Sequence, residues 1–160
     1  MASFSTITVL NRQRKVAVKV AALQDFAEGV LQECLKLRSP QPHALTTRAE
    51  VSVVLVSDRR MAELHCRFLQ EPGPTDVITF QHGEIFVSTE TARRQARRFG
   101  TTASHEMRLY IAHGLLHLHG FDDKNARSSA KMQRTQEKLV AKVDRALRRS
   151  MPKVAAKPHS

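Results

Sequence analysis

Two histidines at helical spacing carry the most distinctive chemistry in this sequence. His113 and His117 stand four residues apart in the apolar run 111–118 (IAHGLLHL). Residues four apart share one face of a helix, so the two imidazoles could grip one metal ion. Buried imidazoles need hydrogen-bond partners, and a buried pair costs stability unless something binds it. The spacing therefore favours a metal site over a purely structural pair.

A third ligand has to come from beyond the end of that helix. Gly120 predicts the end of the helix and a turn, after which Asp123 can fold back towards the histidines. Two imidazoles, one carboxylate and a water make an ordinary catalytic zinc site. Asp122 could instead be the ligand, or could fix a histidine tautomer. His119, two residues after His117, points about 200° away around the helix, which excludes it from the same site.

The two histidines form half of the HExxH arrangement that binds zinc in metalloproteases. In those enzymes the glutamate after the first histidine is the general base. Here Gly114 follows His113. The protease mechanism therefore lacks its base in this chain.

The pattern of apolar residues predicts nine elements in the order β-α-β-α-β-β-α-α-α. It indicates one α+β domain over residues 1–150, with a small mixed four-stranded sheet packed with about five helices. The helix with the two histidines is apolar nearly all round, which predicts a central position. Residues 151–160 are predicted to be a disordered basic tail. The predicted strands are 4–10, 50–57, 76–80 and 84–88, and the predicted helices are 18–37, 61–69, 89–99, 125–149 and one that opens at 104.

Several details of packing can also be predicted. The valine-rich strand 50–57 should be central, strand–helix–strand units should be parallel and right-handed, and the hairpin 76–88 should add one antiparallel strand. Thr89 should cap its helix, and Leu64 and Phe68 should face inward. Cys34 and Cys66 show no CxxC spacing and should be reduced core thiols. Any metal should therefore be held by histidine and carboxylate.

The formal net charge of +11 predicts an anionic partner, most commonly nucleic acid. The chain has no Trp and one Tyr, so contact with the RNA or DNA backbone is favoured over base stacking. The arginines at 93, 94, 97 and 98 and the basic residues in 124–149 could hold that backbone. No apolar run reaches the length of a membrane span, and residues 1–15 lack the pattern of a signal peptide, so a cytoplasmic location is expected.

Three blocks of this sequence resemble the YbeY family of bacterial rRNA maturation factors. Residues 113–123 (HGLLHLHGFDD) are similar to the family's HGxLHLxGYDH, with Phe121 in place of tyrosine and Asp123 in place of the third histidine. Upstream, Arg67 and residues 74–80 (PTDVITF) are similar to R…PTDVLSF, and residues 83–88 (GEIFVS) to GDIVIS. The blocks appear in the family's order, which is far more specific than HxxxH alone.

The resemblance implies a single-strand-directed, zinc-dependent endoribonuclease with an α+β fold. Its expected roles are 3′-end processing of small-subunit rRNA and ribosome quality control, with RNA and the small ribosomal subunit as partners. The zinc ligands of the family carry over to His113, His117 and Asp123, and its functional arginine carries over to Arg67. One Zn²⁺ per chain is expected, although a carboxylate ligand could shift the preference towards Mn²⁺ or another hard divalent ion.

RNA cleavage needs an activated nucleophile and stabilisation of charge at phosphorus. A bound cation can activate water, and Arg67 can clamp the scissile phosphate. We therefore predict Arg67 and His113 as the catalytic residues. The general base stays open, with Asp122 and Glu84 as the candidates.

Other interpretations compete with this prediction. Without the family resemblance, Arg67 reads as a solvated helix residue or as an ion-pair partner of Asp76 or Glu71. The whole protein could be a metal-dependent hydrolase of a peptide or ester, since function is grafted on folds. It could also be a non-catalytic ribosome assembly factor with structural zinc, or a nucleic-acid-binding module without a metal.

Overall fold

The computed structural model describes residues 5–41, 45 and 50–151. In these ranges four strands and five helices follow one another in the predicted order. The strands are β1 (Thr6–Asn11), β2 (Glu50–Val56), β3 (Val77–Phe80) and β4 (Glu84–Ser88). The helices are α1 (Val20–Leu35), α2 (Asp58–Leu69), α3 (Thr89–Phe99), α4 (Ala103–Leu118) and α5 (Ala126–Ser150). None of these helices is long and apolar enough to cross a membrane. Residue 4 of the first predicted strand and residues 152–160 of the predicted tail lie outside the described ranges.

The four strands form one mixed sheet in the order β1-β2-β4-β3. Strand β2 is central and parallel to both neighbours, with Val53 opposite Val9 of β1 and Ile85 of β4. The first strand–helix–strand unit is therefore parallel, as predicted. The prediction was wrong for the second unit, because β3 runs antiparallel to β4 and hence to β2. Strand β3 passes to the sheet edge, and the hairpin brings β4 back between β3 and β2.

Helix α4 lies at the centre of the main core, as its all-round apolar sequence predicts. Its residues Ile111, Leu115 and Leu116 are fully buried, and the helix packs against α1, α3, α5 and the β3–β4 hairpin. Gly114 allows this close approach. A Cβ at Gly114 would lie 2.8 Å from Cγ2 of Ile85 and 3.0 Å from Oγ1 of Thr79. Gly114, which stands where the metalloprotease pattern has its glutamate, is therefore needed for packing α4 on the hairpin.

Helix α2 covers the opposite face of the sheet only in part. Met61 and Leu64 of α2 pack with Val56 and Ile78 in a small second core. Leu64 is buried as predicted. Phe68 faces the sheet, with its ring against Phe80 of β3, but it stays 48% exposed. This small face offers too little apolar surface to bury the last turn of α2.

The two cysteines differ in environment. Cys34 is buried in the main core, and burial raises the pKa of its thiol to about 12, which keeps it protonated and inert. Cys66 is exposed, so the prediction of a core thiol was wrong at that position. It lies on the same poorly covered last turn of α2 as Phe68.

Polar side chains cap the helices that position the site. The Ser57 hydroxyl accepts a hydrogen bond from the backbone N–H of Arg60 at the start of α2, as predicted. Helix α3 is capped by Ser88 and not by Thr89, which is fully buried inside the first turn. At α5, Asn125 and Ser128 form a reciprocal capping box. The capping residue Asn125 lies two residues after Asp123 and fixes where α5 begins.

Candidate active site

Helix α4 places the two histidines side by side in its last turns. The Nε2 atoms of His113 and His117 lie 3.0 Å apart, and the two rings meet nearly edge to face at 78°. About a quarter of each side chain is exposed, 26% for His113 and 24% for His117. The pair therefore lies at the boundary between the core and solvent, where both Nε2 atoms can reach one ligand.

The turn at Gly120 returns the chain to this face. Gly120 has a φ of 96°, in the left-handed region, and its backbone also runs close to residues 39–41. A Cβ at this position would lie 2.6 Å from Oγ of Ser39 and 2.7 Å from the carbonyl oxygen of Gln41. Both conditions require glycine. After this turn Oδ2 of Asp123 lies 3.7 Å from Nε2 of His113 and 3.7 Å from Nε2 of His117.

The three side chains form a group that could hold a metal ion. Ligand atoms bound tetrahedrally at about 2.0–2.1 Å lie roughly 3.3 Å apart. The distances of 3.0, 3.7 and 3.7 Å between these donor atoms lie close to that value. Two imidazoles and one carboxylate are also a donor set of catalytic zinc sites, which leave a further position open. Asp123 is 45% exposed, so the open side of the group faces solvent.

A residue of helix α5 orients the first histidine. The Oε1 atom of Gln136 lies 2.9 Å from Nδ1 of His113, so the ring donates its Nδ1–H to this amide. This hydrogen bond leaves Nε2 as the free donor atom for a metal. The sequence interpretation missed Gln136. Its signal was a polar residue between Met132 and Leu139 on the inward stripe of α5.

Burial tunes the second histidine for metal binding. Loss of solvent, followed by repulsion from His113, lowers the pKa of His117, while Asp123 acts in the opposite direction. A lowered pKa favours the neutral imidazole near neutral pH. Since a metal binds only the neutral ring, the protein environment favours the binding-competent form.

The neighbouring polar residues lie outside this group. His119 is buried and its Nε2 contacts the carbonyl oxygen of Leu37 at 2.7 Å, in keeping with its predicted exclusion. The carboxylate of Asp122 accepts hydrogen bonds from the backbone N–H of Lys124 and from Nε2 of Gln41. The first of these bonds is the main reason that its pKa is lowered. Asp122 thus stabilises the loop between α4 and α5. The role of fixing a histidine tautomer, predicted as one possibility for Asp122, falls to Gln136.

The other candidate base also has a contact of its own. Oε1 of Glu84 lies 2.5 Å from Nε2 of His82 across the turn of the β3–β4 hairpin. Neither Glu84 nor Asp122 belongs to the histidine–aspartate group.

Arg67 lies apart from the three grouped residues. It occupies the last turn of α2, exposed, with its guanidinium carbon 5.4 Å from the centre of the Phe68 ring. Within the described part of the chain it forms no salt bridge, so the alternative partners Asp76 and Glu71 do not hold it. This leaves its guanidinium available to a ligand.

Strand β3 separates Arg67 from the histidines. Phe80 of β3 packs against Phe68 of α2, whereas the preceding residue, Thr79, faces Gly114 of α4. Successive residues of a strand point to opposite faces, so α2 and α4 lie on different sides of β3. Because β3 is an edge strand, Arg67 and the histidines can contact the same RNA strand only around this edge of the sheet.

Comparison with known proteins identifies the family. A family model described as "Endoribonuclease YbeY" matches residues 8–144, which is most of the chain. The chain belongs to the YbeY family. The match includes the three residues of the candidate metal group and all nine described elements, of which β1 and α5 are matched in part. The fold and the resemblance in the sequence blocks are thereby confirmed together.

Individual YbeY proteins show the same likeness. The chain is 34% identical over 120 residues to "Endoribonuclease YbeY" of Frankia alni, an alignment that covers 62% of this chain and 66% of that protein. It is 36% identical over 110 residues to the protein of the same name from Thermobifida fusca, covering 58% and 71% of the two chains. The solution structure of TM1509 from Thermotoga maritima is similar with a TM-score of 0.62 and 28% identity, covering 96% of this chain and 99% of that one.

Proposed function

We propose that this chain is a metal-dependent endoribonuclease that cuts single-stranded RNA. Its proposed setting is the cytoplasmic maturation of the 3′ end of small-subunit rRNA and ribosome quality control, and its proposed partners are rRNA and the small ribosomal subunit. The activity would reside in one domain, residues 1–150. The observation that carries the proposal is the convergence of His113, His117 and Asp123 on one point in a chain of the YbeY family.

The metal in this proposal is one Zn²⁺ per chain, with Mn²⁺ or another hard divalent ion as the alternative because of Asp123. His113, His117 and Asp123 would hold it, and their spacing and donor types fit such an ion. When bound, the cation would supply Lewis-acid activation of a water and would neutralise charge on a phosphoryl oxygen. The exposed side of the group leaves room for an RNA strand to approach.

The protein side chains supply orientation and charge. Gln136 holds the His113 ring so that Nε2 faces the metal position. Arg67, whose guanidinium is free on the far side of β3, would reach the scissile phosphate around this edge strand, donate to two of its oxygens and stabilise the charge that develops during cleavage. The net charge of +11 supports an RNA strand as the substrate over a neutral ester or peptide.

An RNA cleavage assay with metal removal tests the catalytic part of the proposal. We expect wild-type protein to cleave a labelled single-stranded RNA, to lose this activity in chelator, and to regain it with Zn²⁺ or Mn²⁺. His113→Ala should bind RNA but not cleave it. His82→Ala is the matched control, because His82 is an exposed histidine outside the metal group. A folded wild-type protein that binds RNA without cleaving it under any of these metals would contradict the proposal.

A second pair of variants tests Arg67. Arg67→Ala should reduce cleavage by at least about tenfold, since one charge-assisted contact in the transition state is worth roughly 2–4 kcal/mol. Its melting temperature should stay close to that of the wild type because the side chain is exposed. Arg59→Ala, at an exposed position of the same helix, should leave cleavage unchanged. A loss of stability in Arg67→Ala would instead indicate a structural role.

A further inference from the structure

A cavity of about 600 Å³ opens beside His113, between helices α3, α4 and α5. We call it the Tyr110 cavity. His113 and its partner Gln136 both line it, so the cavity is continuous with the candidate metal group. Its other walls come from the start of β3, the end of α3 and the first half of α4. The lining residues used below are Asp76, Gln95, Arg98, Phe99, Glu106 and Tyr110.

Two of the lining side chains contain buried polar atoms that are not satisfied. The hydroxyl of Tyr110 and Oε1 of Gln95 find no hydrogen-bond partner among the residues that the structure describes. Tyr110 is only 7% exposed. Leaving a buried donor or acceptor unpaired costs about 1–3 kcal/mol, so an arrangement of this kind at a cavity indicates a site for a polar ligand.

The ligand should be neutral and should carry both a donor and an acceptor. Burial, and then the carboxylates of Asp76 and Glu106, raise the pKa of the Tyr110 hydroxyl, so this group remains protonated and can donate. The Gln95 oxygen can only accept. The two carboxylates also disfavour an anion at this depth. The hydrogen-bonding edge of every nucleobase offers a donor beside an acceptor, but their order along the edge differs between the bases. A fixed pair of protein atoms therefore distinguishes bases of one order from bases of the other.

The rim of the Tyr110 cavity offers the other contacts that a nucleotide needs. Phe99 is 62% exposed, which is unusual for a phenylalanine and leaves one ring for a base to stack on. Arg98, the preceding residue, is exposed and lies with its guanidinium carbon 5.6 Å from the centre of that ring. In the part of the chain that the structure describes, Arg98 has no carboxylate partner, so it can pair with a phosphate.

We propose that the Tyr110 cavity binds one nucleotide of the RNA strand, adjacent to the phosphate that is cut. Gln95 and Tyr110 bind the base edge, Phe99 stacks on the base, and Arg98 pairs with the neighbouring phosphate. The cavity thereby gives the enzyme a preference for the base beside the cleaved bond. This inference rests on the proposed endoribonuclease function, because it assigns the cavity a part of the same substrate.

The Tyr110→Phe variant tests the subsite without disturbing the fold. Because the hydroxyl has no hydrogen-bond partner among the described residues, its removal should leave the melting temperature unchanged or raise it. The preference for one base beside the cleaved bond, measured as a ratio of kcat/KM on single-stranded RNAs that differ only there, should fall about tenfold. A lowered melting temperature with an unchanged preference would overturn the proposal, since the hydroxyl would then be satisfied by structural water.

Paired substitutions on the rim supply matched controls. Arg98→Gln and Phe99→Leu should raise KM for single-stranded RNA several-fold. Arg97→Gln removes the same charge from the adjacent exposed position, which does not line the cavity. Leu69→Ala removes a similarly exposed apolar side chain, on α2 and outside the cavity. Equal effects of Arg98→Gln and Arg97→Gln, or of Phe99→Leu and Leu69→Ala, would overturn the assignment of the rim.

A binding measurement separates failure of the subsite from failure of the proposed function. Fluorescence anisotropy with fluorescein-labelled r(A), r(C) and r(U) octamers should show unequal affinities for wild-type protein loaded with Zn²⁺ and nearly equal affinities for Tyr110→Phe. If the wild type cleaves RNA but has the same base preference as Tyr110→Phe, the proposed function stands and the subsite proposal is overturned. If the wild type cleaves no RNA, the proposed function is overturned, and the octamer affinities alone test the subsite.

Discussion

At the scale of single residues, the position of His113 depends on a partner far away in the sequence. Gln136 lies 23 residues later and binds Nδ1 of the ring at 2.9 Å. Hydrogen bonds of this kind fix the tautomer and ring orientation of metal-binding histidines. The metal affinity of the site should therefore depend on α5 as well as on the three proposed ligands.

The Gln136→Leu variant should weaken metal binding without abolishing it. Loss of an orienting partner typically costs about 10–100-fold in metal affinity. Competition between the purified protein and a chromophoric zinc chelator measures this change. Gln133→Leu is the control, because Gln133 lies one turn earlier on α5 and is exposed. Equal affinity in Gln136→Leu and the wild type would show that the hydrogen bond does not orient a metal ligand.

Asp123 allows a test of ligand type at the position where the chain departs from its family. Asp123→His restores the residue of the family pattern and should retain a metal ion, with a shift in preference from Mn²⁺ towards Zn²⁺. Asp123→Ala removes the ligand and should lower the affinity for both ions. Titration of both metals into each variant measures the preference. An unchanged affinity in Asp123→Ala would remove Asp123 from the site.

At the scale of elements, one carboxylate joins α2, α3 and β4. Asp58, the first residue of α2, accepts hydrogen bonds from the hydroxyls of Ser88 and Thr91 at 2.6 and 2.8 Å and pairs with Arg94. Burial opposes ionisation of Asp58, but these hydrogen bonds and the Arg94 charge outweigh it and lower the pKa of the carboxyl. Arg94, one of the four arginines of α3 predicted to hold the RNA backbone, thus also has a structural role.

Asp58→Asn should destabilise the fold in a pH-dependent way. We expect the free energy of unfolding to fall by about 1–2 kcal/mol near neutral pH. The loss is this small because Arg94 is 54% exposed and water screens its charge. The pKa of Asp58 is lower in the folded protein than the value of 3.8 expected when it is unfolded, so the ionised carboxylate stabilises the fold at pH values above 3.8. This contribution is lost as the pH falls through the pKa of the folded state. Urea unfolding at neutral pH and around pH 3 measures the difference, which should shrink in acid. Asp25→Asn, at an exposed position, should show no such effect. A difference that stays constant with pH would contradict the ionic contribution.

Gly114→Ala tests the packing of α4 on the β3–β4 hairpin. Alanine normally stabilises a helix by about 1 kcal/mol over glycine. Here the new Cβ would clash with Ile85 and Thr79, so we expect net destabilisation of about 1–3 kcal/mol and weaker metal binding at the adjacent His113. Thermal unfolding with and without Zn²⁺ provides both readings. An increase in stability would show that the hairpin moves to accept the side chain.

The elements that sequence periodicity predicted correctly are those that local chemistry determines. The order of the nine elements, the central β2 and the return of Asp123 after Gly120 follow from alternation, apolar steps and glycine. The place of β3 at the sheet edge does not, because a strand's neighbours depend on how the hairpin is inserted. For a related reason, Cys66 is exposed and Phe68 is only half-buried against Phe80. Their helical positions match an apolar face, but the sheet surface beneath the end of α2 is too small to cover them.

At the scale of the whole molecule, the excess positive charge remains distributed over exposed side chains. Some basic residues are used in structural pairs, such as Arg94 with Asp58, Arg108 with Asp144 and Lys142 with Glu33. The exposed remainder, including Arg98 at the rim of the Tyr110 cavity, is available to phosphates. The affinity for RNA should therefore be mainly electrostatic away from the active site.

The salt dependence of RNA binding tests this distribution. We expect the logarithm of the binding constant for a single-stranded RNA to fall linearly with the logarithm of salt concentration, with a slope of about −3 or steeper, equivalent to four or more phosphates. Filter binding or anisotropy over a series of NaCl concentrations measures the slope. Arg98→Gln should make it shallower by roughly 0.7, one phosphate contact. A flat dependence would show that the basic surface does not bind the RNA backbone.

The metal content of the purified protein tests the central claim most directly. Mass spectrometric elemental analysis should find about one divalent ion per folded wild-type chain, and close to none in a folded His117→Ala variant. The two proteins should differ in metal content because three side chains form the site and the variant lacks one of them. A fully folded wild-type protein that contains no metal, and binds none when Zn²⁺ or Mn²⁺ is added, would contradict it.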